Sequence, residues 1–159
     1  MGKITLRRAL RVKNTLAGEV SELQKLISEY NNQVEGRVYL LDPKELYTQL
    51  WVKLQKLIAL KSRLATANAG GSEGGIYEAI SELAELKSHV SFLRGLDTKA
   101  GRIQEDHSIY DRTPPRDFIY TPIYDAVWVR TRVKELEEQI EELQEKIDSW
   151  NSTHEIEEP

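Results

Sequence analysis

Apolar residues recur at alternating intervals of four and three residues over the C-terminal part of the chain. They are Val129, Val133, Leu136, Ile140, Leu143, Ile147 and Trp150, and most of the residues between them are Glu, Gln, Lys or Arg. This spacing is typical of one stripe on a helix, which has to be buried against a partner helix. The same spacing occurs near the N-terminus in Leu16, Val20, Leu23, Ile27, Tyr30 and Val34, and Leu6 and Leu10 lead into it. The sequence therefore predicts helices that associate through heptad seams.

Helix-start and helix-stop signals divide the chain further. Asp42 is a candidate N-cap, Pro43 suits the first helical position, and Glu45 follows three residues after the cap. Residues 68–71, which end in two glycines, form a helix stop. We predict helices over residues of about 4–32, 43–68, 75–95 and 125–150, within one domain spanning residues 1–159.

The segment between the third and fourth predicted helices has no helical pattern. Residues 97–122 contain Gly101 and three prolines, and residues 118–121 have the composition of a short strand or extended arm. A loop of this length is uncommon in a compact domain unless it is functional or bound to a partner. The predicted fold is therefore all-α, with long antiparallel coiled-coil hairpins or a four-helix bundle and one extended arm or short strand. Whether residues 97–122 fold back or exchange between subunits is left open.

Composition limits the classes of function. The net charge of −4 gives no general reason to expect a nucleic acid or an anionic membrane as a partner. The absence of cysteine excludes a disulfide framework and thiol chemistry. The first residues do not have the apolar core of a signal peptide, and no apolar stretch reaches the length of a membrane span. We expect a cytoplasmic protein with no membrane partner.

Signals for catalysis or cofactor binding are weak. The carboxylates of the last helix fall between the seam positions, where they are expected to be solvated. The three histidines have no neighbours at a metal-binding spacing, and we interpret His89 as a packed or surface residue within a helix. The glycine-rich residues 70–75 lack the ending of a phosphate-binding loop and are better explained as a helix–helix turn. We predict no catalytic residue, no cofactor, no metal and no small-molecule substrate, hence no enzyme.

Positive charges are concentrated at the N-terminus. Five of them precede the first acidic residue, Glu19, and basic residues at a helix start oppose the helix dipole. An antiparallel helix four, with its acidic end nearby, would compensate them within the chain. The alternative is an external anion, a nucleic-acid phosphate or an acidic protein. The candidate residues for such partner binding are Lys3, Arg7, Arg8 and Arg11.

Narrow apolar stripes and only two Phe residues favour burial between chains. Lys61 lies on the apolar stripe of the second predicted helix, where a charged residue usually sets the register or marks the end of the seam. We predict a structural or interaction protein that forms a homo-oligomer. The less favoured alternative is a module that binds nucleic acid or an acidic partner through its basic N-terminal helix. The predicted oligomer interface consists of Trp128, Val129, Val133, Leu136, Ile140, Phe118 and Tyr120.

Four segments together resemble a known family. They are Ile4, Leu6, Ala9 and Leu10 in the first helix, RLATANA at residues 63–69, IYEAISELAELKSHVSFLRGL at residues 76–96, and KIDSWNST at residues 146–153. In this order they resemble the septicolysin-like family of small bacterial proteins, a group without an established activity. The resemblance implies an all-α fold with coiled-coil hairpins that assembles into a homo-oligomer. It transfers no functional residue to this chain, and residues 97–122 depart from the family pattern.

Overall fold

A computed structural model describes residues 2–71, 75–105 and 114–159. This part of the chain contains four helices, each of which begins and ends within three residues of the predicted bounds. They are α1 (Leu6–Tyr30), α2 (Pro43–Asn68), α3 (Ile76–Arg94) and α4 (Ala126–Thr153). Side-chain caps account for three of the starts. Thr5, Asp42 and Asp125 each accept a hydrogen bond from a backbone N–H in the first turn of α1, α2 and α4.

Consecutive helices pack against one another, α1 on α2, α2 on α3 and α3 on α4. A continuous core contains side chains from all four helices, and the most deeply buried are Ile27, Leu50, Leu54, Leu86, Leu93 and Leu136. A smaller cluster joins Ile147, near the end of α4, to Ile76 and Ala79 at the start of α3. The helical stripes are therefore largely buried within one chain.

The prediction of an all-α fold is wrong in one respect, because the described residues also form a three-stranded sheet. The strands are β1 (Asn32–Val34), β2 (Gly101–Glu105) and β3 (Arg116–Pro122), in the order β1-β3-β2. Both pairings are antiparallel, with Asn32 opposite Pro122 and Gly101 opposite Tyr120. The segment predicted as one arm or strand thus supplies two strands that fold back on their own chain. Parts of the predicted arm and of the glycine-rich turn, residues 106–113 and 72–74, lie outside the described residues.

Asn31 connects the sheet end of the molecule to three of the helices. Its side chain is fully buried, and its Nδ2 donates to the carbonyl oxygens of Tyr124, at 3.1 Å, and Asp97, at 3.2 Å. Its Oδ1 accepts from the backbone N–H of Tyr124 at 2.8 Å. One amide therefore holds together the end of α1, the residues after α3 and the residues before α4.

Candidate functional site

His89 lies near the middle of α3 and is 1% exposed. Its ring is surrounded by other rings, with centroids 5.6 Å away at Tyr47, 5.5 Å at Trp51 and 5.7 Å at Phe92. Tyr124 and Trp128 extend this aromatic cluster, with their ring centroids 4.0 Å apart. α2, α3 and the start of α4 thus surround a titratable side chain with aromatic groups.

A chain of hydrogen bonds leads to His89 from α4. Arg132 donates from Nη1 to Glu135 at 3.1 Å and from Nε to the Tyr47 hydroxyl at 3.4 Å. The Tyr47 hydroxyl lies 2.9 Å from His89 Nε2. A Tyr47 hydroxyl that donates to Nε2 leaves the hydrogen of the neutral ring on Nδ1, whereas one that accepts from Nε2–H leaves it on Nε2. In both tautomers this series of hydrogen bonds connects His89 on α3 to Arg132 on α4.

Burial determines the protonation of this cluster. It lowers the pKa of His89 from 6.5 to about 4, with the nearby charge of Arg132 as the second cause. Burial also raises the pKa of Tyr47, against the opposing effect of Arg132. At neutral pH both groups are uncharged, so the Tyr47 hydroxyl retains its proton and His89 does not gain one.

A cavity of about 190 Å³ lies between α1, α2 and α3, and His89 is part of its wall. Lys61 and Glu85, which also line it, form an ion pair, and Glu85 is the more buried of the two. His89 Nδ1 is buried and has no hydrogen-bond partner within the described residues. The full lining consists of Ala17, Val20, Ser21, Gln24, Leu54, Leu57, Lys61, Glu85, Ser88 and His89. The cavity thus combines a charged pair with several smaller polar groups, beside the buried ring of His89.

Sequence reasoning did not identify this cavity. Its one signal was Lys61, a charged residue on an apolar stripe, which we interpreted as setting the register or marking the end of the seam. The sequence allowed His89 to be either a packed or a surface residue, and the structure has it packed. Ser21 and Gln24 lie on α1 at positions that nothing in the sequence distinguishes from ordinary surface residues. Only the packing of α1 against α2 and α3 brings these groups together.

A second candidate site follows the first turns of α1. It is an open groove of about 770 Å³ lined by Thr5, Arg7, Arg8, Arg11, Val12, Thr15, Leu16, Glu19 and Lys53. Three of the four predicted partner-binding residues line it, and the fourth, Lys3, is exposed just before it. Among the described residues, none of these four basic side chains forms an ion pair. Compensation by α4 within the chain, the first of our two explanations, is therefore not seen, because α1 packs on α2 whereas α4 packs on α3.

Exposed apolar side chains accompany these arginines. Ile4, Leu6 and Leu10 are 46%, 51% and 47% exposed, whereas Ala9 on the same helix is buried. On α4, the outward carboxylates Glu138, Glu141, Glu142 and Glu145 are exposed and make no ion pair with the described residues. The surface therefore presents a basic, partly apolar helix face and a separate acidic helix face.

The residues predicted as an oligomer interface do not form one patch. Leu136 and Val133 are buried within the chain, so neither needs a second chain to cover it. Trp128, Val129 and Ile140 are half-buried against the same core. Phe118 and Tyr120 are half-buried on β3, their ring centroids 6.4 Å apart.

Comparison with protein-family models, curated proteins and solved structures finds no match. The resemblance to the septicolysin-like family therefore stays a prediction.

Within residues 2–71, 75–105 and 114–159, no three His, Asp or Glu side chains are grouped so that they could hold a metal ion. None of the helices in that part of the chain is both long enough and apolar enough to cross a bilayer.

Proposed function

We propose that this chain is a non-enzymatic structural or interaction protein that assembles into a homo-oligomer through its helix faces. The observation that carries the proposal is the exposed first part of α1. Leu6 and Leu10 are about half exposed there, beside three arginines that form no ion pair with the described residues. The contact proposed is between this basic face of one chain, Arg7, Arg8 and Arg11 with Leu6 and Leu10, and the acidic outer face of α4 in another.

The apolar part of the argument concerns the heptad seam of α1. Leu16, Val20 and Ile27 are buried within the chain, but Leu6 and Leu10 continue the seam without cover. Burial of apolar surface contributes about 25 cal/mol per Å², and a seam of this spacing is matched by a second helix in a coiled coil. A helix from a second copy would therefore complete the stripe that α2 leaves open.

Charge complementarity favours α4 as that helix. Its outer face carries Glu138, Glu141 and Glu145 at intervals of three and four residues, so that they lie along one side of the helix. The arginines of α1 have no carboxylate partner among the described residues of their own chain. Two copies related by a two-fold axis could form this interface twice, since each would supply both faces.

The test is the mass of the protein by light scattering on a sizing column, over a hundredfold concentration range at physiological salt. We expect an oligomer that weakens at high salt, because the paired faces are exposed and their charges are screened. A basic-face variant (Arg7→Glu, Arg8→Glu and Arg11→Glu) should weaken assembly about tenfold or more, since each exposed ion pair contributes about 0.2–1 kcal/mol. The matched control reverses two exposed charges on α2, Lys56→Glu and Arg63→Glu, and should leave the mass unchanged.

A charge-swap experiment tests the pairing itself. An acidic-face variant (Glu138→Lys, Glu141→Lys and Glu145→Lys) should fail to assemble alone, because it places positive charge opposite the arginines. Mixed with the basic-face variant, it should restore an interface of reversed polarity. A wild-type protein that is a sharp monomer at every concentration would refute the proposal, and failure of the mixture to assemble would refute the pairing of α1 with α4.

The second candidate is a module that binds an acidic partner or nucleic acid. The observation in its favour is the same set of unpaired arginines along an open groove. Replacing Arg7, Arg8 and Arg11 by Gln should weaken binding to a DNA or RNA oligonucleotide, measured by fluorescence anisotropy. It should also reduce the slope of log K against log salt by about 0.9 for each phosphate that the variant no longer neutralises. No binding of such an oligonucleotide by the wild type at low salt would rule out the nucleic-acid form of this candidate.

A further inference from the structure

We propose that the groove between the end of α3 and the start of α4 binds the segment that follows α4 in a second copy of this chain. Ile156 of that segment lies on the apolar floor of the groove, and its neighbours Glu155 and Glu157 pair with Arg130 and Lys134. The contact is separate from the proposed pairing of α1 with α4. This α3–α4 groove shares no lining residue with the α1 groove and contains none of the three α4 glutamates assigned to that pairing.

The α3–α4 groove has an apolar floor. Its volume is about 390 Å³, within the range of about 300–1,000 Å³ that is typical of ligand sites. Half of its lining residues are apolar, and they come from both helices and the residues beside them: Leu93, Leu96, Ala126, Val129 and Val133. One helical turn with its side chains fills roughly 500 Å³, so the groove suits a short segment with one aliphatic side chain rather than a whole helix.

Two positive charges at this groove are available to an occupant. Arg130 and Lys134 are exposed and four residues apart on α4, so they lie on the same side of the helix. Neither forms an ion pair with residues 2–71, 75–105 or 114–159. The other two charged lining residues, Arg94 and Glu137, pair with each other. The groove therefore has a net positive charge, which favours an acidic occupant.

The segment after α4 has the matching composition. α4 ends at Thr153, and Ile156 is 93% exposed, with Glu155 and Glu157 on either side of it. Both glutamates are exposed, and neither forms an ion pair with any residue that the structure describes. Docking in the groove would bury the apolar side chain and bring both carboxylates to the two available cations.

The apolar floor distinguishes the α3–α4 groove from the basic groove on α1. The α1 groove also offers positive charge, but just two of its nine lining residues, Val12 and Leu16, are apolar. The stabilisation by an apolar side chain increases with the apolar area that it buries. Ile156 is therefore favoured on the wider apolar surface between α3 and α4.

The length of α4 assigns the segment to a second copy. Glu137 is the groove residue nearest the end of α4, and it precedes Thr153 by sixteen residues, or about 24 Å along the helix. Ile156 follows Thr153 by three residues, which span at most about 11 Å. Ile156 therefore cannot reach the groove of its own chain.

The experiment detects contacts between copies by paramagnetic broadening in NMR. The chain contains no cysteine, so Pro159→Cys provides one attachment site for a spin label. Spin-labelled protein without ¹⁵N is mixed with ¹⁵N-labelled protein without the spin label, so that broadening of the ¹⁵N signals reports a contact between two copies. We expect broadening of the amide signals of residues 93–98 and 126–134. The basic-face variant should show the same broadening as the wild type, because its α1 substitutions lie outside the groove.

Substitutions on each side of the contact test its chemistry. Ile156→Ser in the spin-labelled copy should lower the affinity about tenfold or more, measured from the dependence of the broadening on concentration. Arg130→Gln with Lys134→Gln in the ¹⁵N-labelled copy should lower it about threefold or more. The matched control, Lys56→Gln with Arg63→Gln, removes two exposed cations of α2 outside the groove and should leave the affinity unchanged. All these side chains are exposed, so we expect the variants to keep the fold, which their ¹⁵N spectra verify.

Four results would overturn the proposal. Absence of broadening in both the wild type and the basic-face variant would mean that the segment does not meet this groove. Broadening centred on residues 5–19 would place the segment on the α1 groove instead. Broadening that is present in the wild type and lost in the basic-face variant would make it a consequence of the pairing of α1 with α4. Broadening that is unchanged by Ile156→Ser and by the Arg130 and Lys134 substitutions would remove the contacts assigned to these residues.

Discussion

Acid should destabilise this protein through His89. The pKa of His89 is about 4 in the folded chain, against an ordinary value of 6.5. Because the folded value is the lower one, the unfolded state takes up the proton first as the pH falls. The stability contributed by keeping His89 neutral is complete above pH 6.5 and is lost between about pH 6.5 and pH 4. A pKa difference of about 2.5 corresponds to about 3 kcal/mol of unfolding free energy.

The assay is urea unfolding at pH 7, 6, 5 and 4, followed by tryptophan fluorescence, for the wild type and His89→Phe. Other charged groups near the ring, Arg132 beside Tyr47 and the Lys61–Glu85 pair at the cavity, are present in both proteins. Their contributions therefore largely cancel in the difference between the two. The wild type should lose about 3 kcal/mol more than the variant between pH 7 and pH 4. Parallel pH curves for the two proteins would refute the reasoning.

The remaining predictions concern packing and capping at defined positions. Asn31→Ala removes three hydrogen bonds and leaves the backbone groups of Tyr124 without their partner, so it should cost about 3 kcal/mol by urea unfolding. The control is Asn32→Ala, which removes one exposed side-chain hydrogen bond to a backbone carbonyl and should lower the free energy of unfolding by less than about 1 kcal/mol. Equal losses for the two variants would contradict the role of Asn31. Leu136→Ala should cost about 2–5 kcal/mol because the side chain is fully buried, whereas Val127→Ala, at a position 74% exposed, should change stability by less than about 0.5 kcal/mol.

The four helices were predictable because their signals are local. The start of α2 depends on Asp42 and Pro43, which are adjacent in sequence, and the structure has the helix beginning at Pro43. The sheet depends on pairings between distant residues, such as Asn32 with Pro122. The heptad spacing continues to Val34, yet α1 ends at Tyr30 and Val34 belongs to β1. The buried hydrogen bonds of Asn31 explain the difference, because they fix the chain direction just after Tyr30.

The cavity was less predictable than the fold for the same reason. The properties of His89 depend on Tyr47 from α2 and Arg132 from α4, both more than 40 residues away in sequence. A histidine within a helical pattern has no feature that reveals such partners. Lys61 was visible as a charge on an apolar stripe, but its pairing with Glu85 across two helices was not.

Heptad spacing predicts that a helix needs a partner, but it does not say to which chain the partner belongs. On α4 the question is answered within the chain, because Val133, Leu136 and Ile147 are buried. On α1 the answer changes along the helix, since the seam is buried from Leu16 onward and exposed at Leu6 and Leu10. The proposed contact of a heptad seam with a second chain is thus confined to the first turns of α1. Arg7, Arg8 and Arg11, which form no ion pair with the described residues, lie on the same turns, so the apolar and electrostatic arguments for assembly concern one surface.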